Sequence, residues 1–334
     1  MAFYLGFDAG GTKTDCALAD ETQILARTQN GSIKPLRVSA AQAEANMRAL
    51  LEEISRQSGV DLKQVAVSCV GTAGVRLPQT KEWMQQIISR YAGGDILICG
   101  DETTALDAAF PGEAGVLVIG GTGSNILGRT STGETFNVGG WGPALGDEGS
   151  GYWIGHEGLK AALRAYDFQQ PTMILDRVKE FWSAATLGDI TNIGNETPLP
   201  DFSQLARLIV ECAEAGDAVA LDILQLGGHL LGEGAVHAVR RLRSLEPDAP
   251  LPGIAYVGGI LKGVRFVRES MVQTIHQSLP MIHVLPEAVD PVIGALWRAR
   301  NRVGWSSLGQ ALTPRPFGGP TKSSPRHHPS PKVR

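Results

Sequence analysis

Short apolar runs along the chain predict strands, and the first two of them predict a hairpin. Residues 4–7 and 16–19 are apolar and flank the glycine-rich stretch 8–14, so a β-hairpin with an open loop is expected. Residues 65–70 and 96–99 are nearly continuous apolar runs, which are typical of strands buried on both faces of a partly parallel sheet. These four strands form the predicted core of the first half.

Helical spacing of apolar residues occurs between and after these strands. One such stripe predicts a helix that begins near Ser39 and Gln42, which fit a capping box, and that ends at Gly59; its members are Met47, Leu50, Leu51 and Ile54. The second half predicts two helices, a buried strand and a last helix that is expected to return to the first half, at 203–215, 218–243, 254–257 and 291–302. The alternation of strands and helices indicates an α/β fold.

The first hairpin pattern occurs a second time. The apolar run 116–119 leads into Gly120-Gly-Thr-Gly-Ser-Asn125, and the loop at Gly10 aligns with the loop at Gly120 at an offset of 110 residues. A repeated unit of strand, glycine loop and strand predicts two similar halves that face each other.

The length and net charge of the chain limit the classes of function that it can have. The 334 residues suffice for two domains of roughly 150 residues each. Thirty basic against 34 acidic residues leave a net charge of -4, which argues against binding to a nucleic acid backbone. No apolar run approaches the roughly 20 residues that span a bilayer, so no membrane association and a cytoplasmic location are expected. The proline-rich basic stretch 306–334 is predicted to be disordered.

The sequence predicts no resident structural metal. The cysteines form no C-x-x-C pair and have no histidine at zinc-ligand spacing, so they are expected to be reduced core residues: Cys16, Cys69, Cys99 and Cys212.

The two glycine loops are candidate phosphate sites. Successive glycines let backbone N–H groups converge on an anion, and a threonine or serine adds a hydroxyl donor. Two such loops could hold one polyphosphate from both sides. The chain contains no Gly-Lys pair and therefore no Walker A motif, and Gly121-Thr-Gly123 does not continue as a dinucleotide fingerprint.

Two carboxylates follow predicted strands. Asp8 at the first loop could hold a magnesium ion through water near bound phosphates, or it could be a turn residue. Asp101, after the run 96–99, suits a general base; it could also cap a helix that begins near Thr103, and both roles could hold at once. Glu102 and Asp107 are expected to be solvated helix residues.

The stretch 139–151 contains six glycines in thirteen residues, with one indole and two acids. Trp141 could offer an apolar face to a pyranose ring while Asp147 accepts hydrogen bonds from its hydroxyls. The alternative is that Trp141 fills the core beneath a loop.

In their order along the chain, these segments resemble the BadF/BadG/BcrA/BcrD-type ATPase family and, within it, N-acetylglucosamine kinases. The motifs are Asp8-x-Gly-Gly-Thr-Lys-Thr, Gly100-Asp, Gly120-Gly-Thr-Gly-Ser-Asn, Gly140-Trp-Gly-Pro-x-x-Gly-Asp-Glu-Gly-Ser-Gly and Val257-Gly-Gly. The resemblance covers about residues 3–302, and 140–155 is its most specific part. It implies two actin-like (ribonuclease H-like) domains with a cleft between them, at 1–112 and 113–290.

The resemblance also implies a kinase that uses ATP and Mg²⁺, and that could be a homodimer. It places the phosphates at Gly10, Gly11, Thr12, Lys13 and Thr122, and the adenosine near Gly259 and Gly263. Asp101 matches the catalytic base. The matching sugar contacts are Ser124, Asn125, Gly140, Trp141, Gly142 and Asp147.

One departure leaves the acceptor open. The family usually has asparagine in a turn after the second or third strand, where this chain has Asn30-Gly-Ser-Ile-Lys-Pro-Leu-Arg37. Lys34 or Arg37 could pair with an acidic sugar such as N-acetylmuramic acid. Glucosamine is another candidate acceptor, and an ATPase activator or a nucleotide-binding regulator of the same fold is the alternative function.

Overall fold

The computed structural model describes residues 1–35, 37–75 and 77–302, which form two lobes, each built on one sheet. The first sheet has the order β3-β2-β1-β4-β5. Its first three strands form an antiparallel meander, and the last two run parallel to β1. The strands are β1 (Phe3–Ala9), β2 (Lys13–Ala19), β3 (Ile24–Gly31), β4 (Val65–Thr72) and β5 (Asp95–Cys99).

The second sheet repeats this arrangement in the order β8-β7-β6-β9. Again a meander of three strands comes first, and a later strand pairs in parallel with the first of them. The strands are β6 (Gly115–Gly120), β7 (Ser124–Arg129), β8 (Thr135–Val138) and β9 (Gly253–Val257). The predicted hairpins at both glycine loops and the predicted α/β fold with two similar halves are therefore confirmed.

The helices lie around these sheets. In the first part of the chain they are α1 (Ala40–Ser58), α2 (Pro78–Tyr91) and α3 (Asp101–Ala109). The second lobe inserts many more helices between β8 and β9: α4 (Gly151–Asp167), α5 (Ile174–Trp182), α6 (Leu187–Gly194), α7 (Ala206–Glu214) and α8 (Ala218–Leu245). Then follow α9 (Gly259–Gly263), α10 (Arg265–Ser278) and α11 (Pro291–Asn301).

Helix α1 begins and ends where the sequence predicts. The Ser39 hydroxyl accepts a hydrogen bond from the Gln42 amide, and Gly59 ends the helix with a left-handed φ of 70°. The predicted apolar stripe from Met47 to Ile54 is buried in the core of the first lobe. Burial of each such side chain contributes about 1.5–3 kcal/mol.

The last helix, α11, packs on the first sheet although it follows the second sheet in the chain. Val292 and Leu296 contact Ala17 and Ala19 of β2. Gly294 lets α11 lie directly on α3, because a Cβ at this position would be 1.8 Å from the carbonyl oxygen of Thr104. Helix α3 therefore runs from the first sheet, beneath α11, to the start of the second sheet.

Asp107 in α3 is buried and ion-paired, so the expectation that it is solvated is wrong. Its Oδ1 accepts a hydrogen bond from Arg129 of β7 at 2.6 Å, and its Oδ2 accepts one from Arg298 of α11. Both arginines are also buried. Arg129 donates further to the carbonyl oxygens of Glu113 and Phe110. One carboxylate thus joins α3, α11 and the second sheet.

Three further expectations concern the chain as a whole. All four cysteines are buried and free, as predicted. No helix within the described ranges has the length and apolar character to cross a membrane. The predicted disorder of 306–334 lies outside the described residues.

We expect Asp107→Asn to lower the free energy of unfolding by about 3 kcal/mol or more, because two arginines then stay buried without their shared counter-charge. Asp95→Asn is the matched control, since Asp95 pairs with Arg302 at the surface and its loss costs less than about 1 kcal/mol. Urea unfolding of both variants measures the difference. Equal stability of the two variants would contradict the assigned role of Asp107.

Candidate active site

The first glycine loop joins β1 to β2 and has exposed amide groups. Gly11 and Thr12 are exposed, and within the described part of the chain their backbone N–H groups donate no hydrogen bond. Lys13, the first residue of β2, is exposed beside them. Amides without an internal acceptor are the donors that an anion requires.

The segment that follows β3 is attached to this loop. The Ser32 hydroxyl donates to the carbonyl oxygen of Gly10 at 3.0 Å, and the Lys34 amide lies 3.3 Å from the same hydroxyl. A Cβ on Gly11 would lie 3.4 Å from Nε of Arg37, so the arginine side chain lies beside that glycine. Two cationic side chains are thereby held beside the first loop.

Two predicted carboxylates meet at the same edge of the first sheet. Asp8 is the penultimate residue of β1, and Asp101 follows the end of β5, which runs in the same direction. The pKa of Asp8 is raised to about 6, first by burial and then by the negative charges of Asp101 and Asp15, while the positive charge of Lys34 acts in the opposite direction. Asp8 and Asp101 therefore lie close enough to repel each other.

This repulsion makes the edge a suitable place for a hard cation. Carboxylate oxygens suit Mg²⁺, which keeps several waters and binds substrate phosphates rather than a complete protein cage. Within the described ranges, no group of three or more His, Cys, Asp or Glu side chains converges as metal ligands. Asp8 is thus compatible with a metal bound mainly through water and phosphate oxygens.

Asp101 is the first residue of α3, and its N-cap is Gly100. The alternative prediction, that Asp101 caps a helix starting near Thr103, is therefore wrong. Its Oδ1 accepts a hydrogen bond from the Glu102 amide at 3.1 Å. The carboxylate stands at the carboxyl end of a strand and at the positive end of a helix dipole.

The second glycine loop joins β6 to β7 and is closed by a hydrogen bond from the Gly121 amide to the Gly123 carbonyl. Amides of Gly151 and Tyr152, in the first turn of α4, donate to the carbonyl oxygens of Gly121 and Thr122. Thr122 itself is exposed. The loop is therefore bonded to the start of α4, while Thr122 is exposed to solvent.

The glycine-rich segment 139–151 is fixed to this loop by two side chains. Asp147 is mostly buried, has φ of 60°, and accepts a hydrogen bond from the Gly142 amide at 3.0 Å. A Cβ on Gly123 would lie 2.8 Å from the second carboxylate oxygen of Asp147. The buried Ser124 hydroxyl donates to the carbonyl oxygen of Glu148. Ser124 and Asp147 thus support the segment from inside.

Asn125 and Trp141 lie in or beside this segment. Oδ1 of Asn125 is buried and has no hydrogen-bond partner among the described residues. Gly140, with φ of 70°, packs on that amide, since a Cβ there would be 2.6 Å from Oδ1. Trp141 is 73% exposed, so the alternative that it fills the core is wrong.

The turn after β9 touches the second loop at Gly258, which the sequence did not single out as a site residue. A Cβ on Gly258 would lie 2.2 Å from the carbonyl oxygen of Gly120, and its φ of 107° also favours glycine. Gly259 and Gly263 follow in α9, and a Cβ at either would meet nothing within 4 Å. The turn therefore places these two glycines beside open space near the loop.

The predicted site residues thus form two groups at corresponding hairpins. Asp8, the loop 10–13 and Asp101 belong to the first lobe, and Thr122, Gly259 and the segment 139–151 belong to the second. Within the described ranges, no hydrogen bond or ion pair joins Asp8 or Asp101 to the second group. The arrangement provides anion donors and a paired carboxylate edge in the first lobe, and an exposed threonine and an exposed indole in the second.

Comparison with known proteins agrees with this architecture. The family model of the BadF/BadG/BcrA/BcrD ATPase family matches residues 5–299. An N-acetylmuramic acid/N-acetylglucosamine kinase of Clostridium acetobutylicum is 27% identical over 90% of this chain and 99% of its own. An N-acetyl-D-glucosamine kinase of Dictyostelium discoideum is 29% identical over 89% of this chain and 98% of its own.

A solved structure also superposes on this chain. It belongs to a candidate N-acetylglucosamine kinase of Chromobacterium violaceum, with 25% identity and a TM-score of 0.65 over 89% of this chain and 98% of that chain. The match extends over both lobes, so the two-lobed actin-like fold that the resemblance implies is confirmed.

We expect Gly258→Ala to lower the free energy of unfolding by about 1–3 kcal/mol, because a Cβ at positive φ meets the backbone of the second loop. Gly259→Ala is the neighbouring control, which should stay within about 0.5 kcal/mol of the parent chain because space is open there. Urea unfolding of the pair tests the contact. A Gly258→Ala chain as stable as Gly259→Ala would show that the turn does not press on Gly120.

Proposed function

Because the chain belongs to the BadF/BadG/BcrA/BcrD ATPase family, we propose that it is an ATP-dependent sugar kinase whose acceptor is an amino sugar, most favourably N-acetylglucosamine. The observation that carries the proposal is the pair of glycine turns, one at the first hairpin of each lobe. Two turns of this kind on facing lobes suit a single triphosphate.

The phosphates of ATP are assigned to both turns. In the first lobe the donors are the exposed amides of the loop, with Lys13 beside them; its residues are Gly10, Gly11 and Thr12. In the second lobe Thr122 supplies its exposed hydroxyl. Gly259 and Gly263 are assigned to the adenosine, and the open space above both supports that assignment.

The sugar is assigned to the cleft side of the segment 139–151. The exposed Trp141 indole offers a flat apolar face of the kind that stacks on a pyranose ring. The buried Oδ1 of Asn125 without a partner is an acceptor for a sugar hydroxyl. Gly140, Gly142, Ser124 and Asp147 hold this wall in place, and Asp147 keeps a carboxylate oxygen near the loop.

The reaction needs positioning and charge neutralisation more than covalent chemistry by the protein. The oxygen of a sugar hydroxyl attacks the γ-phosphorus, the bond to the β–γ bridging oxygen breaks, and ADP leaves. Asp101 takes the hydroxyl proton. A base of this kind contributes about 10²- to 10⁴-fold to the rate. Mg²⁺, held near Asp8, would neutralise phosphate charge when bound.

N-acetylmuramic acid is a second candidate acceptor. It is named for the Clostridium acetobutylicum relative, and Arg37 and Lys34 supply positive charge near the first loop. An iron–sulfur ATPase activator is disfavoured, because such proteins need an exposed cluster-binding cysteine and all four cysteines here are buried.

A coupled ADP-release assay over several acceptors tests the function. We expect sugar-dependent ADP release with N-acetylglucosamine. Comparison of its rate with the rates for glucosamine, glucose and N-acetylmuramic acid identifies the acceptor. Nucleotide binding without release on any sugar would favour the regulator alternative and reject the kinase.

We expect Asp101→Asn to lower kcat by about 10²- to 10⁴-fold with little change in sugar affinity, because an amide cannot accept the proton. Asp95→Asn is the matched control, since Asp95 begins the same strand that Asp101 follows and lies at the opposite sheet edge. Steady-state kinetics and sugar titration by calorimetry measure both. Near-parental turnover by Asp101→Asn would remove Asp101 as the base.

A further inference from the structure

Lys34 is a half-buried lysine whose ammonium group has no hydrogen bond or ion pair with any other described residue. Its backbone is held tightly, because its carbonyl oxygen accepts hydrogen bonds from the amides of Arg37 and Val38. Ser32, two residues earlier, is bonded to Gly10 of the first loop. The side chain therefore starts from a fixed point beside the phosphate turn.

The charges around Lys34 belong to the proposed site. Burial lowers the pKa of Lys34, while the carboxylates of Asp101 and Asp8, in that order of strength, act in the opposite direction. The ammonium group is thus within electrostatic reach of the proposed base and of the proposed metal-side carboxylate. In the proposed reaction, Asp101 accepts the proton of the sugar hydroxyl and Asp8 lies near the phosphates.

We propose that Lys34 is a further catalytic residue that binds the terminal phosphate of ATP and the phosphoryl group during its transfer. This inference rests on the proposed kinase function. Desolvating an ammonium group without a partner is costly, and an anion that arrives with the substrate offsets that cost. Positive charge at this point stabilises the oxygens that carry negative charge in the transition state.

The competing assignment gives Lys34 to a carboxylate on the sugar. Both ligands are anions, but the backbone of Lys34 is linked through Ser32 to Gly10 of the first loop, and this placement favours the phosphoryl position. Arg37, whose guanidinium lies over Gly11, extends the same cationic surface along the phosphate loop. The sugar assignment is a separate outcome of the test.

The test compares Lys34→Met, which removes the charge, with Lys34→Arg, which keeps it. Lys63→Met is the matched control, since Lys63 is exposed and precedes β4, at the sheet edge opposite the site. We expect Lys34→Met to lower kcat by about 10²- to 10³-fold, and to do so equally for N-acetylglucosamine and N-acetylmuramic acid. The KM for each sugar should stay within about twofold of the parent value. Lys34→Arg should recover part of the loss.

A nucleotide titration provides a second measurement that does not depend on turnover. We expect Lys34→Met to weaken binding of a non-hydrolysable ATP analogue with Mg²⁺ by about tenfold or more, while ADP binds as it does to Lys63→Met. If the parent chain phosphorylates no sugar, the kinase proposal fails, and this titration still decides the role of Lys34.

Three results would overturn the inference. The first is kcat of Lys34→Met equal to that of Lys63→Met in a folded protein. The second is a loss confined to KM for N-acetylmuramic acid, which would assign Lys34 to the sugar carboxylate. The third is equal weakening of ADP and of the ATP analogue, which would place the lysine away from the terminal phosphate.

Discussion

The proposed site depends on the glycine turn at the first hairpin of each lobe, which fixes the positions of the donors that would bind an anion. Backbone amides at Gly11 and Thr12 have no acceptor within the described part of the chain, and Thr122 is exposed at the matching turn. Each turn is also fixed by hydrogen bonds to its backbone carbonyl oxygens, the first turn by the Ser32 hydroxyl and the second by amides at the start of α4. Rigid donors without partners favour an anion over water, because the geometry is fixed before the ligand binds.

Helix α3 couples this site to the rest of the molecule. It begins with Asp101 at the sheet edge and carries Asp107 two turns later, where a buried carboxylate holds arginines from α11 and from the second lobe. A buried ion cluster is a poor source of net stability, but it strongly disfavours other arrangements of its members. The proposed base is therefore mounted on a helix whose far end is fixed to both lobes.

Much of this architecture could be predicted from the sequence, because hairpins, caps and apolar stripes are local signals. The repeat at Gly10 and Gly120, the cap at Ser39 and the helical pattern at 291–302 all have such signals. The burial of Asp107 could not be predicted from the sequence, because its partners lie 22 and 191 residues away in the chain. Gly258 required knowledge that β9 lies beside β6.

We propose that both glycine turns hold one triphosphate, with the sugar between these turns and Trp141. A crystal structure of the chain with Mg²⁺, a non-hydrolysable ATP analogue and N-acetylglucosamine measures this directly. We expect phosphate oxygens within hydrogen-bond distance of the loop at Gly10 and of Thr122, and a sugar hydroxyl beside Asp101. Nucleotide bound elsewhere, with both turns empty, would contradict it.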